Sequence, residues 1–550
     1  MTSHNGERAG NGIGRRCSLA FCALLLMTSA AADSGRLLLL HTNDIHDHLR
    51  PGYIGIGGLP YVSGFVKAVR AQRDDVLLLD AGDLLEKGDL LGYRTHGAAT
   101  YEAIGRIGYD AVTIGNHDLD YGVRHLRELE QVMGQRLLLL NFVDRHGAPV
   151  FEPSRVVEVG GVKVGIIGML APRKDHLGGL DDEASGRALA AEAERLAREE
   201  QVHLIVALCH QGSGPAEEWS RMAPAVDVFV LGHHHETLLV PRVVEETGAI
   251  MVSAGSDGHW VGHLELEVDL EARRVIHYEG GLNLLRHDQV AADQAMLDSL
   301  RESEAALVPE ASEAVVDLER PLGWFAIGGL AAEAIRQRAG TDVAFYHPTQ
   351  IIRNGLPAGP LDHNAVFRIS AERVDPIVRL AMTGQEISEY MTALAMSSWG
   401  QSQWAGFAVT VSQEGDGRTL YDNDLEPERV YTVAMPEREK QRYLNEVIYP
   451  AYVRMQQPVK AGQPLPRRYL PGEVVDFVFA DAFSDYLRGV VADGVSVGER
   501  VAALREAQGD ADPNEAIYEP RFLAPLTPAY FLQQEAQTQA LRPVSDEIQR

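Results

Sequence analysis

The stretch Leu37-Leu38-Leu39-Leu40-His41-Thr42-Asn43-Asp44-Ile45-His46 decides how the rest of the chain is read, because four apolar residues run straight into nitrogen and oxygen ligands. The apolar part is strand-sized, and the polar groups stand at its carboxyl end. The same grammar recurs along the chain. Residues 76–79 lead into Asp80-Ala81-Gly82-Asp83, residues 111–114 into Gly115-Asn116-His117-Asp118, residues 204–208 into Cys209-His210, and residues 226–231 into Gly232-His233-His234-His235. Open α/β sheets bind ligands just beyond the carboxyl ends of their strands, so these five ends can converge on one place. The apolar run 162–167 is a control, since Gly168-Met169-Leu170 after it carries no ligand.

Around these runs, longer amphipathic stretches such as 60–70 and 184–200 read as helices, and 137–140 reads as a further strand. Strands alternating with helices predict an α/β architecture. An alternating strand at 263–269 closes this region. Residues 290–318, rich in Ala, Glu, Asp and Leu, read as a connecting helix and linker, and a second α/β segment follows from 323 to 502. Residues 508–515 and the Gln-rich 533–539 read as a loosely packed tail. A chain of 550 residues exceeds what one hydrophobic core usually serves, which fits two domains.

The amino terminus has the order of a secretory signal: Arg15 and Arg16, an apolar run over 19–27, then Ser29, Ala30, Ala31 and Ala32. It predicts a periplasmic or secreted protein, and leaves general and twin-arginine export both open. The apolar run is shorter than the ~20 residues a spanning helix needs, so no membrane span is expected. Cys17 and Cys22 fall inside this segment, leaving Cys209 alone in the mature chain and no intramolecular disulfide. A net charge of −28 excludes a general nucleic-acid binder, which needs a basic face. It does not exclude a small anionic substrate, because bound cations invert the local potential.

Asp, Asn and His without thiolate suit divalent ions such as Mn, Zn, Fe or Co, and not a structural cysteine–zinc site. Ligands from five loops exceed one tetrahedral ion's demand. Two metals sharing a bridging carboxylate, typically ~3.5–4 Å apart, is the simplest arrangement. Each piece alone has a plainer reading: a surface turn for Asp44 and His46, a strand-end turn for Asn116-His117, an exposed metal-scavenging tract for 233–235. Together and in order, they outweigh it. Gly55-Ile56-Gly57-Gly58 reads as the turn into the 60–70 helix, Cys209 as a buried small residue, and His259 and His263 as structural.

Asp44-Ile45-His46, Gly82-Asp83, Gly115-Asn116-His117-Asp118, His210 and Gly232-His233-His234-His235 stand in the order of the calcineurin-like metallophosphoesterase superfamily. Leu-His-Thr-Asn-Asp-Ile-His and Ile-Gly-Asn-His-Asp-Leu-Asp-Tyr-Gly resemble its 5′-nucleotidase and UDP-sugar hydrolase branch, over about 36–275 strongly and 320–500 weakly. The resemblance implies a four-layer α/β/β/α metallophosphoesterase domain followed by a smaller α/β domain of the 5′-nucleotidase C-terminal type. The boundaries it suggests are a signal peptide at 1–32, a catalytic domain at 33–280, a linker helix at 281–320, a substrate-binding domain at 321–505 and a tail at 506–550. It implies that Asp44, His46 and His235 hold one divalent ion, that Asn116, His210 and His233 hold the other, and that Asp83 bridges them. An extended backbone through 233–235 would turn His233 and His235 inward and His234 away. His117 and Asp120 match the catalytic pair, with His117 stabilising charge on the phosphoryl group or leaving oxygen and Asp120 orienting its ring. The attacking group implied is a water activated by the metals.

In that branch the second domain recognises the organic part of the substrate. Asp342-Val343-Ala344-Phe345, Arg353 and Gly355-Leu356-Pro357-Ala358-Gly359 keep the frame, but His347-Pro348-Thr349-Gln350-Ile351-Ile352 replaces the glycine-rich turn before Arg353. Met382-Thr383-Gly384 matches, whereas Glu372-Arg373 stands where Pro-Phe is usual, and Ala434-Met435-Pro436-Glu437-Arg438 replaces a Gly-Gly-Asp-Gly turn. Arg353 is expected to bind substrate. Trp404 stands where a base-stacking ring belongs, with a core tryptophan as the alternative. The resulting expectation is hydrolysis of a small phosphate ester, a nucleoside 5′-phosphate or nucleotide sugar. The rivals are a cyclic phosphodiester, a sulfur ester as in related thiosulfohydrolases, and a non-catalytic binding protein on the same scaffold.

Overall fold

The computed structural model describes residues 34–172, 179–347, 354–370, 376–395, 402–413, 419–441, 471–508 and 527–541. The signal segment, Arg353 and Glu372-Arg373 lie outside them. Two sheets face each other in the first unit. One runs in the order Arg274–Leu284, Trp260–Asp269, Ser34–Thr42, Val76–Asp80, Ala111–Val112, and its last three strands are parallel. The other has six strands, with Val162–Leu170, Leu204–His210, Val228–Leu231 and Ile250–Val252 parallel at its centre.

Side-chain alternation along a strand builds the layers. Leu37 and Leu39 point between the sheets and join Leu77, Leu79, Val164, Val206 and Val230 in an inner core. Leu38 and Leu40 point the other way, into a core shared with the helices Leu59–Arg70, Ala98–Ile107 and Gly122–Met133. On the far side, Ile167, Ile205, Ala207 and Phe229 pack against Asp182–Arg195 and Ser213–Met222. The order is helix, sheet, sheet, helix, as expected. Because each central strand is covered on both faces, it reads as an unbroken apolar run.

The run 137–140 departs from expectation. It is not a strand but a crossing between the sheets: Leu138 N donates to Val112 O (2.9 Å), Leu139 N to Glu152 O (2.8 Å) and Leu140 N to Gly168 O (2.8 Å). Its backbone changes partner at every residue, so apolar content alone could not tell it from a ladder strand.

The helix Gln294–Leu307, capped by Asp293, covers much of the predicted linker, yet Met296 and Leu300 are buried in the first unit's core. Beyond it a mixed sheet runs Gln403–Ala405, Val343–Tyr346, Val430–Pro436, Ile377–Thr383, Glu473–Val475. Helices Trp324–Ala339 and Phe479–Ala492 cover one face, and Gly384–Ala395 the other. The units meet through Phe367 and Ala480, which pack into the first unit's core, and through polar contacts. Arg50 pairs with Glu304 and, at 2.6 Å, with Asp362; Asn364 accepts from Leu90 N (2.8 Å) and donates to Asp89 (2.7 Å). The Gln-rich tail is also more ordered than expected, forming the helix Pro528–Leu541.

Candidate metal centre

Six of the seven expected ligands lie in loops beyond carboxyl strand ends, and the seventh, His210, is the last residue of its strand. They converge because the central strands of each sheet are parallel and put those ends on one rim. The carboxylate and imidazole members fall into two groups, Asp44–His46–His235 and Asp83–His210–His233, with ligand atoms within 4.8 Å of one another in each. Five of them turn the chain through left-handed backbone: Asp44 (φ 52°), His46 (51°), Asp83 (58°), His233 (71°) and His235 (53°). Such residues cost of order 1–3 kcal/mol each and cluster where function requires the geometry. His233-His234-His235 is therefore a tight turn and not the extended segment expected. His234 does face outward, half exposed, with Nδ1 3.6 Å from Glu236.

The protonation pattern fits a cation. His46 Nδ1 donates to Leu85 O (3.0 Å) and His210 Nδ1 to Ala81 O (2.8 Å), which fixes each ring and turns its Nε2 inward. His46 Nε2 then stands 3.0 Å from His235 Nε2 and 3.7 Å from Asp44 Oδ1. His210 Nε2 is 3.1 Å from Asp83 Oδ2, buried and without a directed hydrogen bond. Burial keeps His46 and His233 in the neutral, ligating form, His233 down to about 4. At Asp83 burial opposes the charge, but His210 and His46 overcome it and hold the carboxyl well below its usual range. His210 shows the reciprocal effect: burial lowers it, and the Asp83 carboxylate wins and raises it to about 9. Oxygen and imidazole donors gathered with their Nε2 atoms facing inward match hard to borderline divalent ions.

Asp83 sits between both groups, 3.9 Å from His46 Nε2 and 3.1 Å from His210 Nε2. Asn116 is buried one residue before His117, whose N–H donates to Asp83 Oδ1 (2.8 Å). The His117 ring lies 5.5 Å from that of His46, and its Nδ1 is 3.0 Å from Asp120 Oδ2. Asp120 is largely exposed, so this pair orients the ring more than it stabilises the fold.

Residues outside the ligand set hold the loops. Asp118 Oδ2 accepts from Asp83 N (3.0 Å) and Gly115 N (2.7 Å), and Oδ1 from Leu84 N (3.0 Å). Burial and the Asp83 charge push its carboxyl up to about 7. A Cβ on Gly115 would lie 2.1 Å from Asp83 Oδ1, so the turn admits only glycine. Asn43 ties Asp44 to the loop at 254–255, accepting from Ala254 N (2.8 Å) and donating to Gly255 O (2.6 Å). Asp118 and Asn43 stood inside the quoted motifs, but only their contacts reveal what they do. Cys209 is buried, which raises its thiol, and it plays no nucleophilic part.

In the second unit the structure takes Trp404 in a different direction. Its side chain is 4% exposed, ring-stacked on Phe407 at 6.0 Å and paired in register with Phe345. It belongs to an apolar core, whereas stacking on a base requires an open ring face.

Comparisons with known proteins agree with this geometry. Residues 37–237 match the model of the calcineurin-like phosphoesterases, and residues 313–437 match that of the 5′-nucleotidase C-terminal domain. The chain is 24% identical over 463 residues to a 5′-nucleotidase of Vibrio cholerae, covering 72% of this chain and 83% of that one. In fold it is similar to a 5′-nucleotidase precursor of Thermus thermophilus (TM-score 0.63, 23% identity, 83% of this chain and 96% of that one). It is also similar to the sulfate thiohydrolase SoxB of Thermus thermophilus (TM-score 0.60, 16% identity, 83% and 96%). Two facing sheets with a rim of Asp, Asn and His side chains, followed by the second mixed-sheet unit, are thus those of a metallophosphoesterase, and the chain belongs to the calcineurin-like phosphoesterase family with a 5′-nucleotidase C-terminal domain.

Proposed function

We propose that this protein hydrolyses phosphate esters of small molecules, nucleoside 5′-phosphates or nucleotide sugars, with two divalent ions held by the rim loops. The observation that carries this reading is the meeting of Asp44–His46–His235 and Asp83–His210–His233 beside the His117–Asp120 pair. On this reading Asp44, His46 and His235 would hold one ion and Asp83, His210 and His233, with Asn116, the other. Bound there, divalent ions supply Lewis-acid polarisation of the phosphoryl group and acidify a water. His117 faces the same volume and stabilises charge on the phosphoryl or leaving oxygen, while Asp120 fixes which ring nitrogen it presents. The substrate class rests on the names of the relatives, which are 5′-nucleotidases over most of both chains.

Residues 33–280 act as the catalytic unit on this reading, 281–320 as the linker, and 321–505 as the unit that selects the substrate. Arg353 remains its expected anion contact. The first 32 residues direct export to the periplasm or beyond, and no helix among the described residues is long and apolar enough to cross a membrane. The core position of Trp404 favours one second reading, a sulfur ester or cyclic phosphodiester whose recognition needs no stacking ring.

The test is an assay of the mature chain from Asp33 against AMP, UMP, UDP-glucose, 2′,3′-cyclic AMP and a thiosulfate adduct, with Mn or Zn and with chelator. Metal-dependent phosphate release from a nucleotide, abolished in Asp83→Asn, is expected. Turnover of the thiosulfate adduct alone would replace the nucleotidase reading with the sulfur-ester one.

A further inference from the structure

The helix Pro528–Leu541 follows the second unit in the chain but packs on the first. Its Phe531 is 5% exposed and buried among Ile56, Ala254, Trp260, Leu282 and Leu284. The ring lies 4.7 Å from that of His259 and 6.4 Å from that of Trp260. One turn on, Glu535 faces Arg286 at 3.9 Å.

The surface that Phe531 covers is the outer side of a loop on which one ligand group rests. On its inner side, Ala254 N and Gly255 O both bond the Asn43 side chain, whose Nδ2 also donates to Asp44 Oδ2 (2.7 Å), and Asp257 N donates to Asp44 O (2.8 Å). The same loop holds the chain just beyond His235: Gly255 N donates to Glu236 O (3.0 Å) and Leu238 N to Ser253 O (3.2 Å). Asp44 and His235, both in left-handed backbone, thus share one support. The Asp83–His210 side is held differently, by Asp118 and by Ala81 O.

We propose that Phe531 is a positioning residue for the Asp44–His46–His235 group, so that the C-terminal helix sets the affinity of one of the two metal sites. This rests on the dinuclear reading above. The ring packs on apolar side chains behind the loop and acts through that packing. Removing it leaves a cavity against Ala254 and Trp260, into which the loop relaxes, and strained ligands need that loop to stay in place. Groups that orient metal ligands from outside typically change affinity 10–100-fold when lost.

The test is chelator competition with Zn and with Mn on the full mature chain, comparing the natural protein with Phe531→Ala, Phe531→Leu and the core control Phe483→Leu in the second unit. Phe531→Ala is expected to weaken one site on the order of tenfold and leave the other unchanged. Phe531→Leu should recover most of that loss, and Phe483→Leu should move neither site. A folded Phe531→Ala with both affinities intact, or equal weakening of both sites in Phe531→Ala and Phe483→Leu, overturns the proposal. Should Phe531→Ala not fold, Phe531→Leu decides: about threefold weakening of one site supports it, and no change overturns it. Natural protein that binds fewer than two ions would remove the dinuclear reading itself, a failure distinct from two tight ions insensitive to Phe531.

Discussion

At the carboxyl ends of Ser34–Thr42 and Leu204–His210 the chain delivers its polar side chains into one small shared volume, whereas at Gln403–Ala405 the strand draws its tryptophan into a core. Both regions begin from short apolar strands. The difference lies in what constrains the residues that follow. Metal-ligand loops are set by local chemistry: a strand end, a ligand, and a left-handed turn that Asp and His tolerate better than bulkier residues. Substrate-contact residues in the second unit depend on which face of a mixed sheet is covered, and that is a property of the whole packing.

Substitutions on the rim should change chemistry more than stability, and those in the second sheet the reverse. The largest effect belongs to Asp83→Asn, which removes the carboxylate between the two groups and should lower kcat by about 10⁴-fold, with some loss of melting temperature because the buried pair with His210 goes too. Steady-state kinetics beside a melt would check both halves, and a tenfold loss or less would take Asp83 out of the bridging position. His117→Ala should cost about 10³-fold in kcat while both metal affinities stay intact. Loss of metal in that variant would make His117 a ligand instead.

Smaller and opposite in kind is Trp404→Leu. A buried ring of this size is worth about 2 kcal/mol or more against leucine, so denaturant unfolding should show that loss, with KM for a nucleotide changed less than about twofold. A tenfold rise in KM at unchanged stability would restore the stacking role.

The smallest effect belongs to the end of the sheet away from the Asp and His rim. Asp227 precedes Val228–Leu231 at its amino end and accepts from Ile205 N (2.8 Å), and burial pushes its carboxyl up to about 7. A raised carboxyl binds its proton more tightly in the folded chain, so stability is lost as pH rises from about 4 to 7. Asp227→Asn keeps the acceptor without the charge. Because the side chain reaches the surface, its gain is put at ~1 kcal/mol at pH 8, falling to nothing near pH 4. Equal stability of the two proteins across that range would show that water reaches the carboxylate freely.

The sequence by itself determined the α/β class, six of the seven apolar strands expected in the first unit and the Asp- and His-bearing strand ends that meet on one rim, because strand length, residue type and strand-end position are all local properties. It could not tell that 137–140 crosses between sheets, since a residue that changes hydrogen-bond partner at each step has the same apolar content as one in a ladder. Nor could it place Trp404, whose neighbours Phe345 and Phe407 are brought to it by strand pairing and a turn. The Gln-rich segment near residue 533 reads as loose because Phe531, buried beside exposed Leu532 and Gln533, gives little periodic signal. Only the tertiary structure decided which ligands form each group and what stands behind them. Those facts are distances between residues up to about two hundred positions apart, such as Asp44 and His235, and no local pattern encodes them.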